Sequence, residues 1–166
     1  MERAAVTMRP ARPEDAQAIC DIYNEGIEDG DATLETRLRT GDEQRAWLES
    51  RSERHPVIVA ERDGAIVGWG SLNAFNPRPA YDHVTEFSVY VARSARSSGV
   101  GSRLLEELIA IAGDIGYHKM VLAAFVWNTA GMALYERKGF RRVGVYREQG
   151  MLGGKWVDTI VMEKLL

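Results

Sequence analysis

The chain has 166 residues, of which 45% are hydrophobic and 27% charged, with 21 Lys and Arg against 24 Asp and Glu. This length predicts a single domain over 1–166, large enough to bury a core without disulfide or metal staples. A net charge of −3 gives no general attraction to nucleic acid or anionic membrane, and the single cysteine excludes a disulfide framework and a cysteine-rich metal site.

The opening residues, MERAAVTMRPA, lack the apolar core of a secretory leader, and no apolar run approaches membrane-spanning length. A cytoplasmic protein with no membrane or nucleic-acid partner is the expectation. Residues 6–9 can open as a short strand. In RPEDAQAICDIYNEGIEDG, Pro13, Glu14 and Asp15 suit the first turn of a helix, and Ala16, Ile19, Cys20 and Tyr23 recur at helical spacing. Cys20 in that pattern reads as a small buried side chain rather than a nucleophile. DATLETRLRT is a connector without a clear period, and DEQRAWLESRSER predicts a second helix with Trp47 and Leu48 inward.

Residues 57–60 and 65–72 form the clearest hairpin, with Asp63-Gly64 in its turn. NPRPAYDH breaks the sheet with two prolines. VTEFSVYVA returns to strand, with Thr85, Phe87, Val89 and Val91 alternating against Glu86, Ser88 and Tyr90. A strong amphipathic helix follows over 101–115, closed by Gly116. YHKMVLAAFV predicts a buried strand, and NTAGMALYERKG a short helix capped by Asn128 and closed by Gly139. FRRVGVYREQG and KWVDTIVMEKLL predict a final hairpin. The order βααβββαβαββ implies a mixed α/β sheet with helices on its faces.

The turn between the EFSVYV strand and the long helix carries Arg96, Gly99 and Gly101. Glycines there let the unpaired N–H groups of a helix N-terminus converge into an anion nest, to which Arg93 and Arg96 can add charge-assisted contacts. No Lys-Ser/Thr follows the glycines, so this is not a nucleotide-triphosphate loop. The plain alternative is a turn with glycines for geometry and arginines for solubility. Asn128 opens the helix after the next strand, and Tyr135 lies seven residues later, close to two helical turns. An extended ligand with phosphates at the arginine-glycine turn and a reactive end near Tyr135 fits that layout. His55, His83 and His118 fall in different elements and assemble no metal motif, so no metal is expected.

RSSGVG, over 96–101, resembles the acyl-CoA pyrophosphate loop of the GNAT N-acetyltransferases, and NTAGMALYERKGF, over 128–140, resembles the following motif of that superfamily. NPRPAYDHVTEFSVYV and GVYREQGMLGGKWVDTIVMEKLL further resemble the phosphinothricin acetyltransferases and their arsinothricin-acetylating relatives. The resemblance implies a largely antiparallel sheet with one parallel pair splayed at the cofactor site. It also implies acetyl-CoA as co-substrate and direct attack by an amine in a ternary complex, without an acyl-enzyme. Arg96, Ser97, Ser98, Gly99, Val100, Gly101 and Ser102 then hold the pyrophosphate. The backbone of Val89, Tyr90 and Val91, with Asn128, holds the acyl-pantetheine arm.

Glu86, on the side shared by Ser88 and Tyr90, is the candidate base; a carboxylate among apolar neighbours has a raised pKa and accepts a proton near neutrality. The matching glutamate of the phosphinothricin enzymes supports that assignment, against a structural or solvent-facing glutamate. Tyr135 is the candidate donor to the leaving thiolate, against a packing tyrosine; some phosphinothricin enzymes carry histidine there. Arg78 and Tyr81 are candidate substrate ligands, because a guanidinium grips a carboxylate or phosphinate through two parallel bonds. Thr33 and Trp47 are weaker candidates for the substrate mouth, and His83 for a local proton partner. The expected acceptor is the α-amino group of a small glutamate-like amino acid such as phosphinothricin or arsinothricin. The rivals are N-acetylation of another amino acid, such as methionine sulfoximine, or of a small amine, and a noncatalytic acyl-CoA-binding regulator. The apolar last strand, with Trp156, Val157, Ile160, Val161 and Met162, exceeds what one monomer needs, and the relatives pair through this end, so a homodimer is expected.

Overall fold

The computed structural model describes residues 4–166, so the leader reading of residues 1–3 lies outside the described residues. β1 (Thr7–Pro10) leads through a 3-10 turn (Pro13–Asp15) into α1 (Ala16–Asp29). α2 (Gly41–Glu49) precedes the hairpin of β2 (Val57–Arg62) and β3 (Ala65–Ala74). β4 (Val84–Val91), α3 (Val100–Ile115), β5 (Lys119–Phe125) and α4 (Thr129–Arg137) form the centre. β6 (Arg141–Leu152) and β7 (Lys155–Leu165) close the chain. Among the described residues no helix is long and apolar enough to cross a membrane.

Local chemistry sets most of these boundaries. Asp63 and Gly64 both take positive φ, 53° and 76°, the conformation that matches a two-residue turn to the twist of its strands. Thr40 starts α2 through a reciprocal cap: its hydroxyl accepts from the Glu43 N–H at 3.2 Å, and the Glu43 carboxylate accepts from the Thr40 N–H at 2.8 Å. α2 therefore begins and ends earlier than the charge-rich stretch suggests. Ser50 bonds back to the Trp47 carbonyl at 2.7 Å, and Arg51 turns inward to β3 instead of continuing the helix. Asn128 Oδ1 accepts from the Gly131 N–H at 3.0 Å, the cap expected for α4.

The sheet order is β1-β2-β3-β4-β5-β7-β6, and only β4 and β5 run parallel. One face packs α1 and α2, with Ile19 and Ile22 against Val57, Val59 and Trp69. The other packs α3 and α4, with Leu104, Leu105 and Leu108 against Ile58, Leu72, Met120 and Leu122. α3 lies close to the sheet because β3 offers it glycines. A Cβ on Gly70 would stand 2.9 Å from Leu108 Cδ1, and one on Gly68 would stand 3.1 Å from Leu104 Cδ1.

The architecture is the expected mixed α/β sheet with helices on both faces. The apolar surplus lies elsewhere than expected. Val157, Ile160 and Met162 of β7 are buried in the chain's own core. The exposed apolar groups are Val143, Val145, Tyr146 and Met151 on β6, with Trp156, which is 62% exposed. β6 is the sheet's last strand and carries no covering layer, so its residues reach solvent on both faces.

Candidate active site

β4 has two neighbours and treats them differently. It pairs with β3 along its length, from Ala74↔Thr85 to Gly68↔Val91. With β5 it pairs only over Val84↔Lys119, Thr85↔Met120 and Glu86↔Val121. Beyond Glu86 the parallel strands part, and the β5-facing backbone groups of β4 lose their ladder partners. Two cavities open at this fork. One, of about 450 Å³, runs from the parting strands to the turn before α3. The other, of about 320 Å³, lies over Glu86 and is roofed by the connector residues 31–34. Val89, Tyr90, Asn128 and Tyr135 line both.

The larger cavity ends on main chain. Gly99 caps α3 with φ of 86°, no side chain fills the cap, and Ser97 also takes a positive φ of 60°. With no side-chain acceptor at the cap, the first N–H groups of the helix are free to donate to a bound anion. Arg96, Ser97, Gly99, Val100, Gly101 and Ser102 line this end. Ser98 turns away, its hydroxyl donating to the Ala95 carbonyl. Arg96 is engaged with α1: its Nη1 lies 2.5 Å from Asp29 Oδ2. Arg93 joins the same cluster, with Nη2 2.9 Å from Asp29 Oδ1 and 3.3 Å from Glu28 Oε2. The two arginines hold the Asp29 carboxyl below the usual carboxylate range, Arg93 contributing first.

The smaller cavity holds the titratable groups. Glu86 reaches solvent, yet protein around it displaces enough water to push its carboxyl above the ordinary range. Tyr135 is half-buried, its ring edge-on to Phe87 at 5.9 Å, and desolvation pushes its phenol up. Such a phenol stays protonated at neutral pH and can donate. A carboxylate with a raised pKa can accept a proton under the same conditions. The two sit in one cleft that opens onto the uncapped helix end.

The acetyltransferase (GNAT) family model matches residues 16–140, most of the chain. The chain belongs to the acetyltransferase (GNAT) family. Among relatives of this acetyltransferase, the phosphinothricin N-acetyltransferase of Alcaligenes faecalis is 34% identical, covering 100% of this chain and 85% of its own. A crystal structure of a ribosomal-protein-alanine N-acetyltransferase from Brucella melitensis superposes with a TM-score of 0.94 at 36% identity, covering 96% of this chain and 99% of that one. A GNAT superfamily phosphinothricin acetyltransferase from Sinorhizobium meliloti in complex with AcCoA superposes with a TM-score of 0.92 at 30% identity, covering 97% and 88%.

The acetyltransferase brings most of the expected site residues together. Glu86, Val89, Tyr90, Asn128 and Tyr135 share one cleft, and Arg96 with the glycine turn sits at its far end. Thr33 lines the smaller cavity, and Trp47 lines a neighbouring one. Arg78 and Tyr81 do not join them. They flank and end the 3-10 turn Pro79–Tyr81 and are exposed: the Arg78 N–H donates to Asn76 Oδ1 at 3.0 Å, and Tyr81 packs on Phe75 at 5.5 Å. The two prolines hold this loop below the start of β4, while the cleft opens beyond Glu86. His83 faces His118, with rings 6.0 Å apart, rather than the cleft. Cys20 is buried, its thiol donating to the Arg39 carbonyl at 3.2 Å. Among the described residues no group of three His, Cys, Asp or Glu is placed to hold a metal.

Sequence reasoning missed the residues beside Glu86 on the neighbouring strand. Asn73 faces Glu86, Ser71 faces Ser88, and Trp69 faces Tyr90 across the β3–β4 ladder. The alternation within β4 was legible; a cross-strand partner requires the register. Asp29 was missed as well, because its partners are 64 and 67 residues away in the chain.

Proposed function

We propose that this acetyltransferase transfers the acetyl group of acetyl-CoA to the α-amino group of a small glutamate-like amino acid, such as phosphinothricin or arsinothricin, by direct attack in a ternary complex. The observation that carries the proposal is the shared cleft, in which the Glu86 carboxyl with a raised pKa and the protonated Tyr135 phenol stand beside an uncapped helix N-terminus. The names of the Alcaligenes and Sinorhizobium relatives support the acceptor class.

The residues fit acetyl-CoA, which supplies the thioester when bound. The outward N–H groups from Gly99 to Ser102 receive pyrophosphate oxygens, and Arg96 adds its charge by exchanging Asp29 for phosphate. The unpaired backbone edge of β4 at Val89–Val91 takes the pantetheine arm and polarises the acetyl carbonyl, with Asn128 on the opposite wall. Glu86 accepts a proton from the acceptor's ammonium, directly or through one water, and frees the lone pair for attack. A C–N bond forms as the C–S bond breaks, the Tyr135 hydroxyl proton goes to the departing sulfur, and the second proton shed by the acylated nitrogen returns to the Tyr135 oxygen through water.

A protein N-terminus is a poorer fit as acceptor, despite the name of the Brucella structure. The cleft over Glu86 is only about 320 Å³ and is roofed by residues 31–34. Leu34 in turn packs so close to Gly150 of β6 that a Cβ there would meet it at 2.6 Å. We further propose that the enzyme works in the cytoplasm as a homodimer that covers β6. The exposed Val143, Val145, Tyr146, Met151 and Trp156 form an apolar strip on an unpaired edge strand, which a second copy would bury. Sedimentation of wild type and Trp156→Asp tests this: a dimer that dissociates on substitution supports it, and a wild-type monomer overturns it.

The functional test is CoA release from acetyl-CoA with phosphinothricin, arsinothricin, methionine sulfoximine and glutamate as acceptors. Turnover with the phosphinic or arsinic amino acids supports the proposal. Turnover with methionine sulfoximine alone moves the acceptor to that group. CoA binding without turnover across this set and a panel of small amines overturns the catalytic reading in favour of a regulator.

A further inference from the structure

On the α1–α2 side, a third cavity of about 250 Å³ shares Ser88 and Tyr90 with the acceptor cleft. Its floor is the β3–β4 ladder, where Trp69/Tyr90, Ser71/Ser88 and Asn73/Glu86 form three successive rungs on one face. The first rung is aromatic, with rings stacked at 4.9 Å. The next two are polar and lead to the candidate base.

The hydrogen bonds within these rungs allow one arrangement. Asn73 Oδ1 accepts from Arg51 Nη2 at 2.9 Å and from Ser71 Oγ at 3.0 Å. A guanidinium has no acceptor, so the amide oxygen must face it. The Asn73 NH₂ group is thereby fixed toward Ser88 and donates to its Oγ at 3.1 Å. Ser88 is thus an acceptor toward the protein, and its own proton is left for the cavities that its side chain lines. Arg51 is half-buried and pairs with no carboxylate among the described residues. It spends its donors on the His55 and Leu72 carbonyls and on Asn73. Beneath the same rungs Trp69 is 3% exposed, and its Nε1 N–H is buried with no partner among the described residues. The Ser88 hydroxyl is a donor on the cavity wall with the Arg51 charge behind it, while Glu43, the carboxylate on that wall, is taken up by Arg37 at 3.0 Å, and such a donor favours an oxyanion.

We infer that Ser88 binds an oxyanion of the acceptor amino acid, its hydroxyl proton held in the cleft by a relay from Arg51 and Ser71 through Asn73. This inference rests on the amino-acid reading proposed above, and it adds to that reading a hydroxyl on the cleft wall. Ser88 is a substrate-binding residue, and Asn73 and Arg51 are positioning residues. The oxyanion is either the α-carboxylate or the side-chain head, which share the same recognition chemistry.

Steady-state kinetics of three variants test the relay. Ser88→Ala raises KM for phosphinothricin about tenfold, the worth of one hydrogen bond to a charged group, with KM for acetyl-CoA unchanged. Ser88→Thr keeps the hydroxyl and restores KM. Asn73→Asp retains Ser88 and pairs with Arg51, so melting is not lowered, but it offers Ser88 only acceptors. The Ser88 proton then turns away from the cleft, and KM rises as in Ser88→Ala. An Asn73→Asp enzyme with wild-type acceptor KM overturns the inference, as does a Ser88→Ala effect that is equal for acceptors with and without oxyanions. The source of the oxyanion follows from two analogues. The Ser88→Ala penalty vanishes for the α-carboxamide if the α-carboxylate is bound, and for methionine if the head is bound. Failure of the amino-acid reading looks different: the wild type neither acetylates phosphinothricin nor changes tryptophan fluorescence with it, yet acetylates an uncharged-tail amine, which overturns both. If phosphinothricin binds without turnover, its fluorescence Kd replaces KM in the same comparison.

Discussion

The two halves of the cleft are built from different materials. The cofactor half is made of main chain: an uncapped helix end, a left-handed Gly99 and the unpaired edge of β4. The acceptor half is made of side chains from the 31–34 connector, β4, β5 and α4, backed by β3 side chains that the sheet register places beside Glu86 and Ser88. Peptide groups are the same whatever the sequence, so the cofactor half tolerates change in its side chains but not in its backbone geometry. The acceptor half has the opposite sensitivity. Substitutions that respect or violate this division test it.

The largest effect belongs to the acceptor half. Glu86→Gln lowers kcat/KM about a thousandfold at neutral pH with little change in acetyl-CoA affinity, as measured by CoA release and direct CoA binding. The wild-type kcat/KM falls as pH drops through the raised Glu86 pKa, so its acid limb lies above the ordinary carboxylate value of about 4.3. The same shift has a stability consequence of definite sign. A raised folded pKa stabilises the fold below the unfolded value, and that contribution is lost as pH rises through the folded pKa. Glu86→Gln therefore melts slightly above wild type at neutral pH while being almost inactive. A variant that loses both activity and stability would assign Glu86 a structural role.

Tyr135→Phe comes next, with a loss of about a hundredfold carried by kcat, because the ring packing on Phe87 remains and only the donor is removed. Gly99→Val sharpens the contrast from the cofactor side. Holding a side chain at φ of 86° costs about 1–2 kcal/mol, so the turn rearranges and KM for acetyl-CoA rises about tenfold, with acceptor KM unaffected. Asp29→Asn has the smallest effect and the opposite sign. Freed from its carboxylate partner, Arg96 binds phosphate without exchange, and KM for acetyl-CoA falls about twofold to threefold at low salt.

This division also explains what could be read from the chain. The Gly99–Gly101 turn, the Asn128 cap and the spacing to Tyr135 are local, and local patterns survive in sequence. Glu86 was legible because strand alternation placed it with Ser88 and Tyr90, on the face opposite Phe87. The Asn73–Ser88 and Arg51–Asn73 contacts join residues 15 and 22 positions apart, and the strand offset that links them is set by packing rather than by any motif. Arg78 was assigned to the cleft from its neighbourhood in sequence. Its loop precedes Glu86 by few residues, but on a strand those residues lie along the axis, below the fork. Of the apolar groups expected to exceed one monomer's needs, Val157, Ile160 and Met162 are buried in the chain's own core and Trp156 is exposed, because the sheet order puts β6 rather than β7 at the edge.

Gly68 and Gly70 leave α3 resting almost directly on the backbone of β3 and β4, with buried Val100, Leu104 and Leu108 as spacers. The helix behaves as a beam laid on a flat bearing, and its loaded end is the proposed phosphate site. A single methyl at Gly70 is a shim under that beam. It would press on Leu108 and on the Ser88 carbonyl, 3.1 Å from the new carbon, and move the phosphate end and the acceptor strand apart together. The reach between the two substrates is thus gauged by the thickness of a glycine.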